Sequence, residues 1–141
     1  MLKIFFILVF ILLPGCVTEY NIATQKEEFI YYSVDREIAL GASIAKAIEE
    51  EYELVDDPLV QERVQRVGQR IAAVCDRKDI EYSFKVIDND EVNAISLPGG
   101  YVFVTKGMLE KLTTEAQLAA ILAHELVHIV ARHTSAAMSR E

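Results

Sequence analysis

Leu118-Ala119-Ala120-Ile121-Leu122-Ala123-His124-Glu125-Leu126-Val127-His128-Ile129-Val130-Ala131 is an apolar run carrying three ionisable side chains. Histidines four residues apart on an α-helix lie about 40° apart around the axis, so they share a face and can hold one metal ion. Glu125 lies about 100° round from His124 and can reach a water on that metal without taking a ligand position. Zinc lowers the pKa of such a water toward ~7, and a nearby carboxylate can take its proton. A solvated helix face could carry the same residues. Here, however, Ile121, Leu122, Ala123, Leu126, Val127, Ile129 and Val130 make the helix apolar nearly all round, which predicts burial. Ionisable groups on a buried helix are costly unless paired or bound to metal. The pattern therefore predicts a zinc site with His124 and His128 as ligands and Glu125 as base.

Working backward, Thr114-Glu115-Ala116-Gln117 has the spacing of a capping box and opens this helix. Tyr101 to Thr105 is rich in strand formers. Val92 to Leu97 is a second extended piece, stopped by Pro98-Gly99-Gly100, and Asn89-Asp90 turns the chain before it. From Ile80 to Asp88, Ile80, Tyr82, Phe84 and Val86 alternate with polar residues, the pattern of a half-buried strand. Asp57-Pro58 starts a helix as cap and first position, with Val60, Val64, Val67, Ile71 and Val74 as its core stripe. Asp35 to about Tyr52 is a further helix, with Asp35 as its expected cap and Ile38, Gly41, Ala42, Ala45 and Ile48 on one face. Together these elements predict an α+β fold with two N-terminal helices, a small mostly antiparallel sheet and a buried active-site helix.

The 141 residues make room for one small domain, and 52% hydrophobic content is ample for a core. With 14 basic and 22 acidic residues the net charge is −8, and no basic patch appears, which argues against nucleic acid as a partner. Lys3 followed by the apolar run Ile4 to Leu13 reads as an export signal over residues 1–15, too short for a comfortable membrane span of ~20 residues. Leu13-Pro14-Gly15-Cys16 is similar to a bacterial lipobox, which predicts lipidation of Cys16 and attachment to a membrane, although Pro14 departs from the residue usual there. Residues 16–33 show no clear period and read as a tether, with Tyr31 and Tyr32 as packing residues. The remaining cysteine, Cys75, closes an apolar helix face and reads as a small buried hydrophobe.

Several stretches resemble, in order, the CAAX-prenyl-endopeptidase and HtpX type of zinc metallopeptidase, in its bacterial envelope (BepA- and LoiP-like) branch. They are Val92-Asn93-Ala94, then Leu97-Pro98-Gly99-Gly100-Tyr101-Val102-Phe103-Val104-Thr105-Lys106-Gly107, then Leu118 to His128, and finally Arg132-His133. The resemblance covers most of Asp35 to Glu141. It implies a gluzincin-type peptidase domain over residues 34–141 with one zinc ion per chain. It implies polypeptide substrates, misfolded or misassembled proteins of the envelope, paired as an added strand along Asn93 and Ala94. It also implies a third ligand, a glutamate on a later helix. His133 does not fill that place on an unbroken helix, being roughly 180° round and about 13 Å along from His124. It is five residues past His128 with no glycine between, so it reads as a packing or supporting residue. The chain is accordingly expected to be an incomplete domain, a fragment of a longer protein. By the bacterial sorting rule, Val17 after the cysteine points to the outer membrane facing the periplasm. The competing expectation from another class is a non-catalytic envelope lipoprotein that binds clients as a chaperone does.

Overall fold

The computed structural model describes residues 18–21, 26–29 and 33–132. The expectations placed on Cys16, Tyr31, Tyr32 and His133 lie outside these residues. Within the stretch read as a tether, β1 (Thr18–Asn21) and β2 (Lys26–Phe29) pair as an antiparallel ribbon. Main-chain pairing over four residues leaves no apolar period to read, which is why the sequence looked featureless there.

Helix α1 (Val34–Glu51) is capped two residues earlier than expected. Ser33, not Asp35, caps it, accepting from the Arg36 N–H, and Asp35 lies in the first turn, where an acidic side chain suits the helix dipole. Helix α2 (Pro58–Ala72) starts as expected, with the Asp57 carboxylate accepting from the Leu59 and Val60 N–H groups. It stops before the end of its predicted stripe. Val64 and Val67 are buried, but Val74 lies past the helix and is 83% exposed. Cys75 follows on the loop, partly buried against the core, its thiol donating to the Ile71 carbonyl.

Strands β3 (Ser83–Ile87), β4 (Ala94–Leu97) and β5 (Tyr101–Thr105) form a sheet in the order β3-β5-β4. β4 is antiparallel to β5, from Ala94↔Val104 to Leu97↔Tyr101, but β3 is parallel to β5, from Ser83↔Tyr101 to Ile87↔Thr105. The sheet is therefore mixed rather than mostly antiparallel. Residue patterns fix which pieces are strands; they do not say that β5 returns to slot between β3 and β4. The return is made at Pro98-Gly99-Gly100, where Gly99 (φ 75°) and Gly100 (φ 99°) adopt a backbone that side chains disfavour. Gly41 of α1 packs directly on the Pro98 carbonyl, leaving no room for a side chain.

Two apolar layers sandwich the sheet. Phe84, Val86, Val102 and Val104 face α2 and the later helix α4 (Glu115–Val130), while Ile87, Leu97 and Phe103 face Ala45 of α1. A short helix, α3 (Lys106–Lys111), which no sequence signal announced, links β5 to α4 and is capped by the Thr105 hydroxyl. Helix α4 is not buried all round. Leu118, Leu122, Leu126 and Ile129 form its buried face, each contributing about 1.5–3 kcal/mol. Val127 on the other side is 55% exposed. No helix among the described residues is long and apolar enough to cross a membrane.

Candidate active site

The register of α4 places the site. Thr114 and Gln117 make the reciprocal capping box that fixes the start of the helix. With the buried face at 118, 122, 126 and 129, His124 and His128 fall on the outer side. Their Nε2 atoms are 3.2 Å apart, with the rings edge to face at 4.7 Å between centroids. Two nitrogens held by one zinc ion at about 2.0–2.1 Å and a near-tetrahedral angle stand about 3.3–3.4 Å apart, so the pair fits a shared ion. Among the described residues no third histidine, cysteine, aspartate or glutamate joins them. Glu125 is half-buried between α4 and β4, and its Oε2 accepts a hydrogen bond of 2.8 Å from the Ser96 hydroxyl.

Above the helix, β4 is an edge strand of the sheet, unpaired on its outer side among the described residues. The Asn93 carbonyl accepts from the Thr105 N–H, and the Asn93 N–H donates to the Thr105 hydroxyl. In an antiparallel ladder the direction of these groups alternates, so Ala94 and Ser96 turn their own N–H and C=O groups outward. Of the two residues expected to meet a peptide, Ala94 has main-chain groups at the open edge, while those of Asn93 are engaged by Thr105. Thr105 pins this segment: its hydroxyl proton reaches the carbonyls of Glu91 and Asn93, and its oxygen accepts from the Asn93 and Met108 N–H groups.

The opposite edge is closed. Along one side of α2, Gln61, Gln65 and Gln69 bond to the main chain of β3 and its approach. Gln61 accepts from the Val86 N–H and donates to the Val86 carbonyl, Gln65 accepts from the Phe84 N–H, and Gln69 donates to the Tyr82 carbonyl. A covered edge cannot recruit a strand; an open one can.

Below the site, a buried ion cluster ties the end of α4 to α1. Arg77 bonds to Glu37, to Asp79 and, at 3.4 Å, to the Ile129 carbonyl one residue past His128. Arg132 stands 3.7 Å from Glu37 and 3.8 Å from Asp79. Arg132 also takes a left-handed backbone (φ 52°) just after Ala131 ends the helix. The helix therefore stops at Val130.

Sequence reasoning found the three residues of the motif and the extended piece beside them. It missed that Ser96 touches Glu125, that Thr105 anchors Asn93, and that three glutamines spaced four apart seal the far edge. The last had a legible signal in the spacing of Gln61, Gln65 and Gln69 beside the apolar stripe of α2.

Residues 58–141 match the sequence model of peptidase family M48. A beta-barrel assembly-enhancing protease of Yersinia pestis is 29% identical over 109 residues, covering 77% of this chain and 22% of that protein. Its counterpart in Escherichia coli strain K12 is 29% identical over 106 residues, covering 75% and 22%. The mitochondrial metalloendopeptidase OMA1 of Schizosaccharomyces pombe is 47% identical over 72 residues, covering 51% and 21%. The chain thus spans about a fifth of the length of these curated relatives.

Proposed function

This chain belongs to peptidase family M48, and from that premise we propose that it carries the zinc-binding part of an endopeptidase that cleaves misfolded or misassembled proteins at a bacterial cell envelope. The observation that carries the reading is the pair His124 and His128, Nε2 atoms 3.2 Å apart, beside Glu125 and below an open strand edge. Zinc, when bound, supplies a Lewis acid that activates water and polarises a carbonyl. His124 and His128 would hold one such ion per chain. Glu125 takes the proton of the attacking water on its carboxylate and can pass it to the leaving amine. The outward main-chain groups of Ala94 and Ser96 pair an extended peptide and lay its bond across the site. The names of the beta-barrel assembly-enhancing relatives support an envelope setting.

Attachment through lipid on Cys16, at an outer membrane facing the periplasm, completes the proposal. Stable anchoring takes two lipid signals, since one chain binds only marginally. Fatty-acid labelling should mark the wild type and not Cys16→Ser; equal labelling of both would remove the anchor. For the reaction, the full-length protein should bind one zinc and cleave casein, and chelation should stop it. Cleavage that persists without metal would overturn the assignment.

A further inference from the structure

The bond from the Ser96 hydroxyl to Glu125 Oε2 joins two elements that come from distant parts of the chain, the edge strand β4 and the helix α4. Ser96 faces two ways. Its main-chain N–H and C=O point to the open edge, by the alternation set at Asn93 and Thr105. Its side chain points across to the base. A glutamate on the outer part of a helix has three torsions and several accessible rotamers, whereas a proton acceptor must hold one orientation. A hydroxyl donating to Oε2 fixes that orientation and leaves Oε1 to accept a proton. Both ends of the bond are rigidly mounted. Ser96 lies opposite Val102 in the ladder, and the helix turn of Glu125 is seated by the buried Leu122 and Leu126.

Resting on the peptidase reading above, we propose that Ser96 is a positioning residue that sets the base in register with the bound peptide. Its main chain fixes where the peptide lies, and its side chain fixes where Glu125 points. The two functions separate on substitution. Ser96→Ala keeps every main-chain group and loses only the hydroxyl. KM for an extended peptide should then stay within about twofold, while kcat falls about tenfold, the scale of one hydrogen bond to a charged group. Ser96→Thr keeps the hydroxyl and suits a strand, so it should recover most of the lost kcat. A merely structural role would lower the melting temperature without splitting kcat from KM and without rescue by threonine.

The experiment uses the full-length zinc-loaded protein, a fluorogenic peptide, and crystal structures of wild type and Ser96→Ala. Support is a kcat loss rescued by threonine, together with a Glu125 carboxylate that spreads over several rotamers in the alanine variant. An unchanged kcat, a loss confined to KM, or a Glu125 carboxylate that stays in place without the hydroxyl overturns the proposal. The crystallographic arm needs no turnover. A wild type that cleaves nothing tells against the peptidase reading, and the Glu125 rotamers still decide the role of Ser96.

Discussion

Arg77 grips Glu37 through two parallel hydrogen bonds, Nη1 to Oε1 at 2.8 Å and Nη2 to Oε2 at 3.1 Å. Glu37 is 2% exposed and Arg77 8%. The same guanidinium forks onto Asp79 and reaches the Ile129 carbonyl, so one side chain braces the first turn of α1 against the last turn of the active helix. Removing one member of a buried pair leaves its partner charged and unsolvated, at a cost of about 3–5 kcal/mol. Arg77→Met or Glu37→Leu should each lower the free energy of urea unfolding by that order, and the double variant by clearly less than the sum. Additive losses would show that the two residues do not act as a pair.

The same cluster sets an acid limit. Hydrogen bonds from Arg77 hold the Asp79 carboxyl below its ordinary range, against partial burial that pushes it up. A depressed native pKa contributes stability above the unfolded value of ~3.9 and loses it as pH falls through the native value. Because Asp79 is partly open to solvent, the contribution is about 1 kcal/mol at most. Asp79→Asn should therefore be less stable than wild type at pH 7, and the gap should close below about pH 4. Urea midpoints at pH 3, 4, 5 and 7 test this, and a gap that widens on acidification would contradict the sign.

Local signals accounted for most elements. The Asp57-Pro58 start, the Thr114 capping box and the bounds of β5 at Tyr101 and Thr105 are written in a few adjacent residues each. What escaped reading depended on residues far apart in the chain. The insertion of β5 between β3 and β4 makes the β3 pairing parallel, and no local pattern encodes it. The exposure of Val127 follows from which face of α4 meets the sheet, since apolar residues surround the helix. The motif singled out His124, Glu125 and His128 as candidates; the contact of Glu125 with Ser96 is a tertiary fact.

The open edge can be closed without dismantling the sheet. Ala94 turns its N–H outward, so proline there removes a donor that the ladder does not use, which edge strands tolerate. Ala94→Pro should leave the melting temperature within a few degrees of wild type and raise KM for an extended peptide at least tenfold. A single lost main-chain bond accounts for part of this, and the ring's obstruction of the edge for the rest. If KM is unchanged in a folded variant, the peptide does not pair along β4.

The base and the ligands should fail in different ways. Glu125→Gln keeps the size and the hydrogen-bonding partner of Ser96 but cannot accept a proton at neutral pH. Loss of a general base costs about 10²–10⁴-fold in rate, so hydrolysis should fall by that factor while zinc stays at one per chain in the full-length protein. His124→Ala and His128→Ala each remove one of two nitrogens that stand 3.2 Å apart. Either should lose the metal itself, and activity with it, because a catalytic zinc held by three protein ligands cannot spare one of them. Metal analysis and casein cleavage on the three variants separate the roles. Turnover retained in Glu125→Gln would move the proton to another acceptor, and zinc retained in either histidine variant would mean that the ion is held elsewhere.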